Sequence, residues 1–181
     1  DPGSEIYDSK TFSADRYHSI FNNSRGHSVP VIDGVLQSPG ADHCGTIAVE
    51  GLGSEGVKTV TIDMTHAYDV PSLSSLVRVF LLNPDGRLTM SDTYAFAKKP
   101  RSVEEAFITR ESAVLADGGR AVVIGKGRRK ATLVAVATPG RFHVQRLEKE
   151  SAKGRADGII SRIAFVPKTC ARAMTLTFRI G

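Results

Sequence analysis

The residues best suited to chemistry stand near the start of the chain. Asp1, in Asp1-Pro2-Gly3, offers a carboxylate at a turn, and His27, in Arg25-Gly26-His27-Ser28, offers an imidazole just ahead of an apolar stretch. Both are metal-type ligands. A catalytic zinc ion takes three protein ligands and keeps a fourth position open, so this pair does not close a shell. The expected third donor lies upstream of Asp1, and a chain opening on Asp without an initiator Met reads as part of a larger protein. Tyr7 and Tyr17 fall between the two ligands, and a phenol of lowered pKa serves as acid or base. Asn22 and Arg25, in the same stretch, are the expected substrate-binding residues. The blander reading makes His27 a partly buried sheet histidine and each tyrosine a structural residue.

Other chemistry-bearing residues are weaker candidates. His43 lies between Asp42 and Cys44, but Pro39, Gly40 and Gly45 around it indicate an exposed loop. His66 follows Asp63 by an odd number of positions, which on a strand puts the two on opposite faces and rules out a metal pair. Tyr68 and Tyr94 read as sheet or turn residues. Lys126-Gly127-Arg128-Arg129-Lys130 reads as a solvated hairpin tip, or else as a clamp for sulfate or carboxylate, which Arg grips with two hydrogen bonds. No aromatic residue interleaves these charges for base stacking, so a nucleic-acid partner is not expected. Cys44 and Cys170 lack the Cys-x-x-Cys spacing of a structural zinc knot, and two buried free thiols are expected over one disulfide.

Strands must position these groups. Leu88, Met90, Tyr94 and Phe96 alternate with polar residues, as do Met174, Leu176, Phe178 and Ile180. That period places one face on a core and the other in water. Further strands are expected at Arg16–Phe21, His27–Ile32, Thr46–Glu50, Val57–Met64, Leu76–Leu82, Arg120–Ile124, Ala131–Val136, Phe142–Leu147 and Ile160–Val166. Asn83-Pro84-Asp85-Gly86 predicts a hairpin turn, and Asp33-Gly34 and Asp117-Gly118-Gly119 predict others. Val103–Leu115 has near-helical apolar spacing and reads as a short helix, while the charged stretch 148–158 reads as a mobile surface loop. About a dozen short strands with turns between them make the chain all-β, an antiparallel β-sandwich occupying residues 1–181 as one domain.

Composition agrees with a globular protein: 41% of residues are hydrophobic and 24% charged, with no apolar run long enough for a bilayer. No membrane partner is expected. A formal charge of +5 favours an acidic partner without naming it. The missing signal segment says nothing of export, so periplasmic, secreted and cytoplasmic locations all stay open.

Residues 1–37 resemble the heparinase II/III family of polysaccharide lyases. The likeness lies in the Asp1-Pro2-Gly3 turn, Tyr7, the Gly26-His27-Ser28 step with its apolar strand, the Asp33-Gly34 turn and Gln37. It continues through 65–96 and the Ser102-Val103-Glu104-Glu105 block to about residue 112, with only β-pattern beyond. The resemblance implies an N-terminal α/α toroid of helices, absent here, followed by a C-terminal antiparallel sandwich, to which this chain corresponds. It implies Asp1 and His27 as metal ligands with a further His upstream. Zinc suits such a set best, with manganese and calcium also open. It places the main catalytic residues in the toroid and lets Tyr17 or Tyr7 contribute from the sandwich. It also favours strand over helix at Val103–Leu115. The activity implied is β-elimination on a uronic-acid-containing acidic polysaccharide, with the fragment inactive alone. The alternative is a non-catalytic sandwich that only captures such a polyanion.

Overall fold

Alternation in two strands decides the layers. In Leu88–Phe96 the buried residues are Met90, Asp92, Tyr94 and Phe96, and in Ala173–Ile180 they are Leu176 and Phe178. The computed structural model describes residues 1–181 and contains twelve strands in two antiparallel sheets. The smaller sheet runs β1 (Val31–Ile32), β6 (Val103–Thr109), β11 (Ile160–Pro167), β10 (Gly140–Leu147). The larger runs β2 (Thr46–Glu50), β3 (Lys58–Asp63), β4 (Leu73–Leu82), β5 (Leu88–Phe96), β12 (Ala173–Ile180), β9 (Ala131–Val136), β8 (Ala121–Ile124), β7 (Ala113–Ala116). The expected all-β antiparallel sandwich is what forms.

Aromatic side chains join the inner faces. Phe165 of β11 meets Phe178 of β12 edge-on with ring centroids 5.3 Å apart, and Phe107 of β6 meets the same ring at 5.0 Å. Each such pair adds about 0.5–1.5 kcal/mol beyond its burial. A second, smaller core lies on the outer face of the small sheet. There Ile20 and Phe21 of the N-terminal segment cover Ile108, Leu147 and Ile160. The N-terminal residues are therefore bound to one half of that face, which explains why β6 and β11 are buried on both sides.

Turns fall where the sequence places them. The β4–β5 hairpin closes with Gly86 at φ 82°, and Asp33 and Gly34, at φ 51° and 81°, turn the chain so that Ile32 bridges Val35. The run 126–130 is the exposed β8–β9 hairpin tip.

Five expectations are corrected. Arg16–Phe21 is not a strand: Ser13 accepts a hydrogen bond from the Asp15 N–H and caps a 3-10 helix over Ala14–His18. Of His27–Ile32 only Val31–Ile32 is strand, because Pro30 has no N–H to give a ladder. Val103–Leu115 is two strands, β6 and the start of β7, as the family resemblance implied and not the helix its apolar spacing suggested. The stretch 148–158 holds one helical turn, α1 (Glu148–Ser151), and is tied down by Ile6 N–H to the Lys153 carbonyl at 2.7 Å and Arg155 N–H to that of Ser4 at 2.9 Å. Both cysteines are free thiols, but Cys44 is exposed and Cys170 only half-buried. No helix is long and apolar enough to cross a membrane.

Candidate functional site

Asp1 and His27 meet. The Asp1 carboxylate accepts from the Gly3 N–H at 2.8 Å through one oxygen, and its other oxygen lies 3.0 Å from His27 Nδ1. Arg110, which follows β6, holds the turn from below. Its guanidinium donates to the Pro2 carbonyl at 2.6 Å and to those of Ala156 and Gly158 at 2.8 and 2.7 Å. The N-terminal turn is thus fixed to the small sheet by a side chain distant in sequence.

His27 is positioned with equal care. Asn23 caps a 3-10 turn over Ser24–Gly26 by accepting from the Arg25 N–H at 3.0 Å, and the His27 N–H closes the turn on the Ser24 carbonyl at 3.2 Å. Gly26 is required by space: a Cβ there would sit 2.0 Å from the Ile20 carbonyl oxygen. Beyond the histidine, Ser28 Oγ accepts from the Ile108 N–H at 3.0 Å, and the Tyr68 hydroxyl donates to the Pro30 carbonyl at 2.8 Å.

A buried charge cluster completes the support. Arg78 of β4 makes a two-bond pair with Asp92 of β5 at 2.7 and 2.6 Å, and also donates to the Ser28 carbonyl at 2.6 Å. Its Nη2 lies 3.2 Å from Glu105 of β6, whose other oxygen accepts from the Tyr94 hydroxyl. One guanidinium faces two carboxylates. Burial, then the neighbouring Asp92, pushes the Glu105 carboxyl well above its ordinary range, so Glu105 stays protonated and the cluster is neutral. Burial likewise raises the Tyr68 and Tyr94 phenols, so both stay protonated as donors.

Electrostatics set the state of His27. Burial lowers its pKa below the ordinary value, so the ring is neutral near pH 7. The neighbouring carboxylate oxygen accepts only, so a proton on Nδ1 satisfies this contact. A carboxylate-oriented imidazole of this kind can accept a proton or ligate a metal.

The other sequence candidates separate. Tyr17 and Asn22 line the same 340 Å³ concavity as His27 and Gln37. Asn22 donates its amide to Glu5, whose second oxygen accepts from the Ser19 hydroxyl at 2.6 Å, so it is held by the N-terminal segment. Arg25 faces an adjoining hollow with Leu36. Tyr7 stands apart, with the Arg155 guanidinium 4.2 Å from its ring centroid and Phe12 edge-on at 5.4 Å. His43 and His66 are joined only by a 3.4 Å contact from the His43 ring to the His66 carbonyl.

As metal ligands, Asp1 and His27 fit zinc in kind but not in number. No cluster of three or more His, Cys, Asp or Glu side chains exists in the chain. No chemical step is therefore assigned to a metal.

Comparison with known proteins places the fold. No family model matches the chain, and no curated protein matches it in sequence. Solved structures do. A heparinase III, the BT4657 gene product, matches with TM-score 0.73 at 12% identity over 99% of this chain and 27% of its own. A mutant of the heparan sulfate lyase HepC from Pedobacter heparinus matches with TM-score 0.69 at 13% identity over 99% and 27%. A further heparinase III gives 0.62 at 13% over 97% and 26%. The fold is that of a β-sandwich found within heparan sulfate lyases. The chain spans about a quarter of the length of these proteins.

Proposed function

We propose that the chain is the C-terminal sandwich of a polysaccharide lyase that cleaves a uronic-acid-containing acidic polysaccharide by β-elimination. The observation that carries this reading is the 3.0 Å approach of Asp1 and His27, residues from opposite ends of the N-terminal segment, beside the Tyr17 concavity. The sandwich shared with heparan sulfate lyases supports it.

In such an elimination a base removes the proton at C5 of the uronate, an acid protonates the leaving glycosidic oxygen, and the carboxylate must be neutralised as charge develops. Tyr17, which lines the concavity with His27, is proposed as the phenol that takes part from this side, with Tyr7 the alternative. Arg25, exposed in the adjoining hollow, is proposed as the cation that meets the uronate carboxylate. The helical region preceding the sandwich in the whole protein supplies the remaining groups, with the substrate between the two lobes, a common location for ligands. Zinc is proposed to join Asp1 and His27 once a third donor from outside residues 1–181 is present. It would brace the Asp1 turn against the His27 segment.

The test is a longer chain that includes the upstream helical region, incubated with heparan sulfate, other glycosaminoglycans and alginate. The reading predicts unsaturated uronate products absorbing in the ultraviolet. Absence of such products on every uronate polymer would refute it.

A further inference from the structure

We propose that the open half of the small sheet's outer face is a second binding surface for an acidic glycan, continuous with the Tyr17–His27 concavity. The proposal rests on the acidic-polysaccharide reading above and extends it to a surface away from the Asp1–His27 pair. On β10 and β11, Phe142 and Phe165 point into the core, so Arg141, His143 and Val166 point out. Ile20 and Phe21 cover the other end of this face. The uncovered end is a concavity of 830 Å³ lined by Arg120, Arg141, His143, Val166 and Lys168.

Shared walls make one track of separate hollows. Val166 also lines a 360 Å³ hollow with Arg25 and Leu36, and a 260 Å³ hollow with Lys99 and Arg101. Leu36 in turn lines the hollow that holds His27 and Tyr17. Crossing the small sheet from β1 to β10 takes three strand spacings, about 14 Å, which suits an oligosaccharide rather than a single sugar.

The charges along this track are available. Arg25, Lys99, Arg101, Arg141 and Lys168 are exposed and make no ion pair with a carboxylate. The acids beside them are already neutralised: Asp117 pairs with Arg120 at 2.8 Å, and Glu104 with Arg162. Arg141 donates to the Gly118 carbonyl, which orients its guanidinium before any ligand arrives. Planar guanidinium groups meet sulfate and carboxylate with paired hydrogen bonds. No aromatic side chain lines the basic hollows, which disfavours single-stranded nucleic acid, whose bases need a stacking platform.

The test uses residues 1–181 and a heparan sulfate dodecasaccharide, with affinity measured by titration calorimetry in physiological salt. Arg141→Glu with Lys168→Glu should weaken binding by at least about tenfold, the equivalent of losing one good charged contact. Lys126→Glu with Arg128→Glu, an equal change of net charge at the β8–β9 tip, should weaken it less than about twofold, since exposed charges away from a ligand contribute little. Circular dichroism confirms that each variant folds, and Arg141→Gln with Lys168→Gln replaces the reversal if it does not. Equal losses in the two pairs, or none in the first, overturn the track and leave the polysaccharide reading standing. Failure of wild-type residues 1–181 to bind the dodecasaccharide overturns the second surface and leaves the lyase reading, which is tested on the longer chain, standing. Equally tight binding of oligo-dT with the same sensitivity to Arg141 and Lys168 overturns the glycan assignment.

Discussion

Replacing Arg78 with Met separates the buried charge cluster from the site it supports. The guanidinium is the only cation facing Asp92, which is fully buried, and it also satisfies the Ser28 carbonyl next to His27. Removing one partner of a buried pair costs about 3–5 kcal/mol because the other is left charged without compensation. For a chain of this length each kcal/mol moves the melting temperature by about 2–4 °C, so a fall of about 6–20 °C is expected. That is a large part of an ordinary stability of about 5–15 kcal/mol, so the variant should fold but marginally. Adding Asp92→Leu removes the stranded charge and should restore most of the loss, since Glu105 is already neutral. The double variant still lacks the donor to Ser28. Its His27 imidazole should therefore keep an altered NMR signal and a weakened bond to Asp1, even with stability recovered. Thermal unfolding followed by circular dichroism, with NMR of the imidazole, provides both readouts. A single variant that melts within about 2 °C of wild type, a change of at most about 1 kcal/mol, would show that the cluster does not carry charge in the core.

Further outcomes follow from the same geometry. Gly26→Ala should displace the Ser24–Gly26 turn from Ile20 and loosen His27, seen as increased hydrogen exchange at His27 and Ser28. Glu105 has a folded pKa above its unfolded value, so its contribution is complete below the unfolded pKa and is lost as pH rises toward the folded one. Glu105→Gln should then gain stability relative to wild type between pH 5 and pH 8, both chosen above the unfolded value of about 4.3, and parallel urea curves would refute this. Residues 1–181 dialysed against zinc should retain it only substoichiometrically, and a tight equimolar complex would show a third donor within the chain. In the longer protein, Tyr17→Phe should reduce turnover of heparan sulfate more than Tyr7→Phe, which alters only a stack against Arg155 and Phe12.

Strand periodicity made the sandwich legible, since β5 and β12 alternate cleanly and the Asn83–Gly86 and Asp33-Gly34 turns break strands where expected. The segment 13–30 was not legible as strand or turn from polarity alone, because Ser13, Asn23 and Pro30 act through caps and a missing N–H. The Arg78–Asp92–Glu105 cluster carried a readable signal. Asp92 stands in phase with Met90 and Tyr94, and Arg78 in phase with Leu76, so the same alternation that buries those residues also buries the two charges. Arg110 gave none: its role depends on carbonyls at Pro2 and in 156–158, which only the folded chain brings together. Proximity of Asp1 to His27 was expected from a resemblance of motifs, and spacing alone would not have supplied it.

The most direct measurement is a double-mutant cycle on the longer protein, with ultraviolet absorbance of the unsaturated product as readout and heparan sulfate as substrate. Asp1→Ala and His27→Ala should each reduce kcat/KM, and the double variant should lose little more than the worse single one, because groups acting as a unit are not additive. Wild-type protein that forms no unsaturated product, or losses from the two changes that simply multiply, would contradict the claim that Asp1 and His27 work together at a lyase site.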